Sequence, residues 1–320
     1  MALISGLMVV RNGVSQGYPF VEAITAALPI CDEFLISDGF SLDGTWEALN
    51  TLAAFYPGQI RLFQDRWAES IGTGTVIADV TNVLKRRCRL DYCLNIQANE
   101  IVHEATLGEL RELATLYPEA ELFRIPFLTI MGESLTWHAD FRRRLFRNRP
   151  YVISKSDGFD CGYAPKLMWS QPGRLYRYIL HRTGDQLVYL TKPVYRYRAI
   201  FPKNYLAKLE EHCRTLTRSP LAKKELEYAR SVWAQTKVES SSPEAFWSAM
   251  RNFFDEAIWR DNPPGIAPDR EIPRRCIAFP LNSPEIMKPL FGKWQYDVKG
   301  SLAALRDNSA LRLPRHIIDR

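Results

Sequence analysis

The sequence predicts an α/β protein built on a largely parallel sheet with helices on both faces. Three observations lead there. Over the first 130 residues, short apolar runs bounded by turn residues alternate with stretches of helical periodicity. The runs are close to continuously hydrophobic, as strands covered on both faces must be. Their repeated strand–helix–strand order joins parallel neighbours through crossover helices.

The first run spans 3–10 and ends at Arg11-Asn12-Gly13. Nothing basic precedes it, as a secretory leader would require, so it reads as a buried first strand. Pro19 then opens a helix with Phe20, Ile24, Ala27 and Leu28 on one face. A strand at 33–37 leads to a helix carrying Trp46, Leu49 and Ala53, with Ser41 or Asp43 as its N-cap. Strands at 60–64, 91–96 and 122–128 alternate with two more helices. One carries Val76, Val80, Val83 and Leu84, the other Leu107, Leu110, Ala114 and Tyr117. Beyond 130 the pattern changes. Five arginines fall in 142–149, and strand-like pieces recur over 186–197. Helices are expected at 205–216, 221–236 and 244–259, followed by Pro-rich irregular sequence from Pro263-Pro264-Gly265 to the end. The expected organisation is a sheet-based domain over 1–200 and a helical extension over 201–320.

The chain has 320 residues, 46% hydrophobic and 24% charged, which excludes disorder and small disulfide frameworks. Its formal charge of +6 favours anionic partners. No window reaches the roughly 18 apolar residues of a membrane span. The six cysteines are scattered without a C-x-x-C pair, which points to reduced thiols in a cytoplasmic protein. No nucleic-acid-binding motif is present, and Arg11-Asn12-Gly13-Val14 does not fit the Gly-rich start of a nucleotidyltransferase.

Ligands of parallel sheets bind beyond the carboxyl ends of the strands, and two such places stand out. Asp38-Gly39-Phe40-Ser41-Leu42-Asp43-Gly44-Thr45 puts a carboxylate at a strand tip, where it can accept a base N–H, and then a turn that admits a flat ring. Asp43 also reads as a plain helix cap. Gln97-Ala98-Asn99-Glu100 ends a second strand in oxygen-bearing side chains. A hard cation takes carboxylate oxygens at such a place and bridges them to a diphosphate.

With these residues the first 200 positions resemble a family 2 glycosyltransferase, in particular the branch of bacterial lipopolysaccharide and capsule enzymes. The branch shows D-S-G-S-T-D-G-T after one strand and D-A-D-E after a later one. Val10-Arg11-Asn12 resembles its first-strand V-x-N, and Arg144-Leu145-Phe146-Arg147 its R-L-F-R motif. The resemblance implies a GT-A fold and transfer from a nucleotide-sugar, usually a uridine diphosphate sugar, with inversion. The acceptor is then a glycan or a lipid-linked glycan, and the protein works in the cytoplasm or at the inner face of the membrane. Asp38 and Gly39 would meet the base, with Val10, Asn12, Gln97 and Ala98 along the nucleoside and Gly72, Thr73 and Arg144 at the diphosphate.

Both acids of D-A-D are amides here, Gln97 and Asn99. Mn²⁺ or Mg²⁺ would rest on Gln97, Asn99 and Glu100, and a metal-independent site is the alternative. In the latter case Arg142–Arg144, Arg147, Lys155 and Lys166 are the expected cations for the diphosphate. Inversion needs a general base. Asp157 leads, followed by Asp160, Glu133 and Asp140, because Asp157 and Asp160 lie where the branch carries V-H-E. His103 and His181 read as structural. The rings of Tyr195-Arg196-Tyr197-Arg198 could stack on a ligand or belong to a core-edge strand. The 201–320 extension could cover the acceptor side, self-associate or meet a membrane, with Phe291-Gly-Lys-Trp-Gln-Tyr296 either interfacial or packed back onto the protein. The competing function is a glycosyltransferase-like binding module without catalysis.

Overall fold

The computed structural model describes residues 2–67, 75–133, 135–155, 158, 160–164, 184–215, 220–238, 242–254 and 283–307. Its centre is a nine-stranded mixed sheet flanked by helices. Four parallel strands form one half: β1 (Ile4–Val10), β2 (Glu33–Asp38), β3 (Ile60–Gln64) and β4 (Tyr92–Asn95). The order across the sheet is β3-β2-β1-β4, so the chain moves outward from β1 and then returns to β1's other side. That reversal is the topological switch point beside which such sheets bind ligands. Helices α1 (Phe20–Ala27), α2 (Thr45–Phe55), α3 (Val76–Lys85) and α4 (Leu107–Leu116) make the connections.

The second half is where the arginine-rich stretch belongs. β5 is the short pair Glu100–Ile101, and β6 (Leu122–Met131) turns back into the long β7 (Leu135–Arg147). β7 runs antiparallel to both β6 and β4, inserting itself between them. β8 (Val152–Lys155) and β9 (Asp160–Tyr163) form a separate hairpin. The strand-like pieces after 184 are two strands: β10 (Asp185–Leu187) pairs with the start of β6, and β11 (Val194–Ala199) with its end. β11 also pairs antiparallel with β5 at the sheet edge.

Beyond the sheet lie α5 (Pro202–Thr215), α6 (Pro220–Val238) and α7 (Pro243–Phe254). The expected helix at 244–259 is described only to Phe254. The chain then departs from the expected irregular tail. A 3₁₀ segment, Glu285–Leu290, precedes α8 (Val298–Asp307), which packs on α1 and α2. Gly300 and Ser301 dilute its helix propensity, so contact with α1 and α2 must stabilise it. Trp294 stacks edge-on against Trp233, and Tyr296 is buried beside Phe20 and Phe201. The 291–296 segment therefore packs back onto the protein.

Burial explains the strand composition. Every residue of β2 is buried, and α1 is buried over all eight residues. Gly6 on β1 lies under Phe34, where a Cβ would come within 2.2 Å of the ring. A second apolar cluster joins Tyr205, Leu209, Ala229, Phe246, Trp247 and Phe254 of the helical layer to Met131 and Ala199 at the ends of β6 and β11. No disulfide occurs among the described residues, and none of the described helices is long and apolar enough to cross a membrane.

Tyr296 donates its hydroxyl to Glu22 at 3.0 Å inside the main core. Burial raises the Glu22 carboxyl above its ordinary 4.5, outweighing the hydrogen bonds from Ser301 and Tyr296 that lower it. A carboxyl raised by folding contributes stability that is fully present below pH 4.5 and is lost as the pH climbs through its folded value. Glu22→Gln keeps an acceptor for Tyr296 and removes that slope. In urea unfolding, the variant should gain on the parent as the pH rises from 4.5 to neutrality; parallel pH profiles would refute the assignment.

Candidate functional site

The chain leaves β1 through Arg11 and Asn12. Asn12 sits at φ +52°, a left-handed conformation that asparagine tolerates. Its N–H donates to Ser41 Oγ at 2.7 Å, and its Oδ1 accepts from Leu42 N–H at 3.0 Å. These bonds tie the β1 exit to the turn after β2. Asp38 holds the same turn from beneath. Its carboxylate is fully buried and accepts from Ser41 N–H (3.0 Å), the Ser41 hydroxyl and the Gln64 amide (3.1 Å). Asp38 therefore anchors the turn rather than lining the space above it. Gly44 is the N-cap of α2, while Asp43 accepts from the Thr45 N–H and hydroxyl and from Ser15 N–H. Gly39 is required by close approach: a Cβ there would lie 2.8 Å from Trp67 Nε1 and 2.9 Å from Arg11 Cβ.

The second segment, after β4, is tied down just as firmly. Gln97 N–H donates to Glu100 Oε2 and Glu100 N–H to the Gln97 carbonyl, both at 3.0 Å. Asn99 grips β11: its Nδ2 donates to the Tyr197 carbonyl at 3.0 Å, and its own carbonyl accepts Tyr197 N–H at 2.9 Å. Glu100 is fully buried. Its Oε1 accepts from Arg144, itself fully buried, and Arg142 stands 3.7 Å away.

The arginine run is thus spent on carboxylates and carbonyls of the protein. Arg142 forks onto Asp140, Arg143 bridges Asp160 and Asp185, and Arg147 donates to the Pro118 carbonyl. Arg144 donates to the Gly158 carbonyl as well as to Glu100. Expected as the cations of a diphosphate site, Arg142–Arg144 and Arg147 are instead internal braces. Strand alternation puts Arg142 and Arg144 on one face, both over the Phe127 ring.

Above the switch point lies a cavity of about 650 Å³. Its floor is the end of β1 (Val9 and Val10), the exit residues Arg11 and Asn12, and the 97–99 segment after β4. Tyr18, Trp67 and Ile77 form side walls. The remaining wall comes from Arg196 and Arg198 on β11 and Lys208 on α5. With Arg11 these make four cations, and no carboxylate lies among the described lining residues. Alternation on β11 explains the placement: Tyr195 and Tyr197 point into the core, 0% and 1% exposed, while Arg196 and Arg198 face the cavity. Burial, reinforced by Arg142, pushes the Arg196 guanidinium down to about 10, so it stays charged at neutral pH. Lys208 Nζ donates to the Tyr18 hydroxyl at 2.9 Å and sits over that ring. Asn204, one turn earlier on α5, donates to the carbonyls of Val14 and Ser15.

Of the expected site residues, Val10, Asn12, Gln97, Ala98 and Asn99 come together on this cavity. Gly39 lies just behind it, against Arg11 and Trp67. Gly72, Thr73, Asp157, Lys166 and His181 lie outside the described residues. Asp160 is ion-paired with Arg143 at 2.6 Å, and Glu133 accepts Gly292 N–H. His103 caps a 3₁₀ turn by accepting Ala105 N–H at 3.1 Å and packs on Tyr195. Trp67 and Lys208 were not anticipated, since neither belongs to a motif. The Tyr-Arg-Tyr-Arg alternation did carry a signal for Arg196 and Arg198, because it places both arginines on one face of a strand.

The resemblance implies a divalent cation at 97–100, and the residues there do not fit one. Hard cations want several free oxygens, carboxylates first. The Glu100 oxygens are occupied by Arg144 and the Gln97 N–H, and the Asn99 amide is spent on β11. Among the described residues no group of three or more His, Cys, Asp or Glu side chains could hold a metal ion.

No family model and no curated protein matches the sequence. Solved structures with a similar course include S. aureus TarS 1–349, at 11% identity and TM-score 0.36, covering 82% of this chain and 77% of that one. The mannosyltransferase PcManGT from Pyrobaculum calidifontis, in complex with GDP-Man and Mn²⁺, matches at 12% identity and TM-score 0.37, with coverages of 80% and 76%. M. tuberculosis glucosyl-3-phosphoglycerate synthase matches at 11% identity and TM-score 0.38, with coverages of 67% and 81%. At these values the activity has to be read from the chain's own cavity.

Proposed function

We propose that the protein is a GT-A-type glycosyltransferase of the lipopolysaccharide and capsule kind. It takes a nucleotide-sugar, in the first instance a uridine diphosphate sugar, and passes the sugar with inversion to a glycan or lipid-linked acceptor. The observation that carries this reading is the cavity at the switch point between β1 and β4, with four cations and no acid among the described residues that line it. Its volume suits a ligand of nucleotide-sugar size, since small-molecule sites run to about 300–1,000 Å³. Tyr18 and Trp67 offer ring faces to a base or sugar, and Asn12, Gln97 and Asn99 line the same space.

In such a reaction the acceptor hydroxyl attacks the anomeric carbon from the face opposite the diphosphate. The bond from that carbon to the phosphate oxygen breaks, and the diphosphate leaves with the electron pair. Cations fixed beforehand around the leaving oxygens stabilise that developing charge. The acceptor's proton passes to a carboxylate, for which Asp157 is the first candidate and Asp160 and Glu133 the others. In support of Asp157, its neighbour Gly158 lies against Ile77 and Gln97, both cavity residues, and the Gly158 carbonyl accepts from Arg144 and Gln97. The protein would work in the cytoplasm or at the inner membrane face, with the late helices meeting the acceptor or a second copy.

A panel of nucleotide-sugars, read by thermal shift, tests the reading. A true donor at about 100 times its Kd should stabilise the fold by about 2.7 kcal/mol. No shift with any uridine or guanosine diphosphate sugar would sink it. One observation favours a second reading, an inert donor-binding module: Gln97 and Asn99 are amides engaged in holding the fold. Transfer or slow hydrolysis of a bound donor separates the enzyme from the module.

A further inference from the structure

Resting on the nucleotide-sugar reading, we propose that this site holds its diphosphate with side-chain cations alone, Arg11, Arg196, Arg198 and Lys208 standing where a divalent metal would be expected. Three independent observations converge on it. First, the segment that ought to carry a metal has been turned to other work. Glu100, the one acid there, is fully buried and already neutralised by Arg144, with Arg142 beside it. A metal would have to displace a buried guanidinium to reach it.

Second, cations gather on the side facing the cavity, where Arg11, Arg196, Arg198 and Lys208 all line it. Arg144 answers Glu100, and Arg142 answers Asp140. Arg196 feels the unfavourable fields of Arg142, Arg144 and Arg198 alongside the favourable one of Glu100. Arg198 and Lys208 add two more positive charges on the same wall, and the small side cavity of about 110 Å³ that they line also carries Glu225, whose carboxylate accepts from the Tyr205 hydroxyl. A cluster of this sign, partly withdrawn from water, is stabilised by a multivalent anion. Guanidinium groups suit phosphate oxygens through paired N–H donors, and Lys208 keeps two N–H donors beyond the one given to Tyr18.

Third, the cavity offers ring faces beside its cations: Trp67 and Tyr18 both line it, and a base or sugar can stack on such rings. The ligand class is therefore a nucleoside diphosphate: an anion of at least two charges for the β11–α5 wall, joined to a flat group for Trp67 and Tyr18. Inorganic pyrophosphate shares the anionic half of that chemistry, so the test includes it.

The experiment is calorimetric titration of the full chain with UDP, GDP, UMP, uridine and pyrophosphate, each in EDTA and in Mn²⁺. The expected result is UDP or GDP binding in EDTA, with Kd changed less than about twofold by Mn²⁺. The nucleoside diphosphate should also bind more tightly than pyrophosphate. Arg198→Gln and Lys208→Gln, checked for folding by circular dichroism, should each weaken the diphosphate by about tenfold to a hundredfold and leave uridine unchanged. Binding that appears only with Mn²⁺, or variants that bind the diphosphate as the parent does, would overturn the inference while leaving the glycosyltransferase reading intact. Pyrophosphate binding as tightly as UDP and GDP would overturn the nucleoside part of it. Failure of every nucleoside diphosphate under both conditions would overturn the donor reading itself.

Discussion

Glu100→Gln should destabilise the protein by about 3–5 kcal/mol, the usual cost of breaking a buried ion pair from one side. The side chain keeps its volume and one oxygen, so packing is preserved, and the loss is the charge together with one of the two acceptors that serve Arg144 and the Gln97 N–H. What remains is Arg144, fully buried, and Arg142, 8% exposed, with no carboxylate between them and Arg196 nearby. Asp140→Asn is the matched comparison. It removes a carboxylate from the same arginine cluster, but that side chain is 32% exposed, and such pairs contribute about 0–1 kcal/mol. Urea unfolding of both variants measures the difference. A Glu100→Gln loss under about 1 kcal/mol would mean that the guanidinium groups find water or backbone partners and that Glu100 is not their counterion.

Phe246→Ala should cost about 3–5 kcal/mol as well, and for a different reason. Phe246 is fully buried in the apolar cluster of the helical layer. Its ring meets Tyr205 at 6.4 Å, Trp233 at 6.3 Å and Trp247 at 5.1 Å. Truncation leaves a cavity among large rings that cannot collapse without moving α5 or α6. Tyr205 sits on α5 less than a turn before Lys208, so the loss should also reach the site. Nucleotide binding should fall along with stability, although Phe246 is not among the residues lining the cavity. Chemical denaturation with calorimetric titration of UDP reads both effects. A destabilised variant with unchanged affinity would show that Lys208 is placed by Asn204 and Tyr18 alone.

The two halves of the sheet were legible to different degrees. β1, β2 and β4 announced themselves because buried parallel strands have no polar face to disguise them. α8 did not. Its apolar residues Leu302 and Leu305 acquire meaning only against α1 and α2, about 250 to 280 positions earlier, and Gly300 argues against a helix in isolation. The arginines of β7 were read for their charge, and the charge is real. Where it goes is decided by Asp140 on the same strand and by Asp160, Asp185 and Glu100, which the fold brings in from β9, β10 and β5. A one-dimensional count of cations cannot tell a brace from a binding group. The β11 arginines were the more readable case, since a strand's period of two separates Tyr195 and Tyr197 from Arg196 and Arg198 without any knowledge of neighbours. Trp67 and Lys208 were beyond reach, because 141 positions separate them and only the fold sets them on one cavity.

The Asn204 clamp on Val14 and Ser15 spans 190 and 189 positions. During synthesis from the N-terminus, β1 and its exit loop emerge long before the helix that completes their cavity. Contacts of such separation form late, because closing a long loop is slow compared with forming local structure. The first-made strand thus waits for one of the later helices before the pocket exists, and ligand affinity becomes a measure of finished folding. A nascent chain halted before α5 would hold much of its sheet and still lack the Lys208 wall of the cavity. One released past α5 would acquire binding at a single step, when Asn204 and Lys208 arrive together.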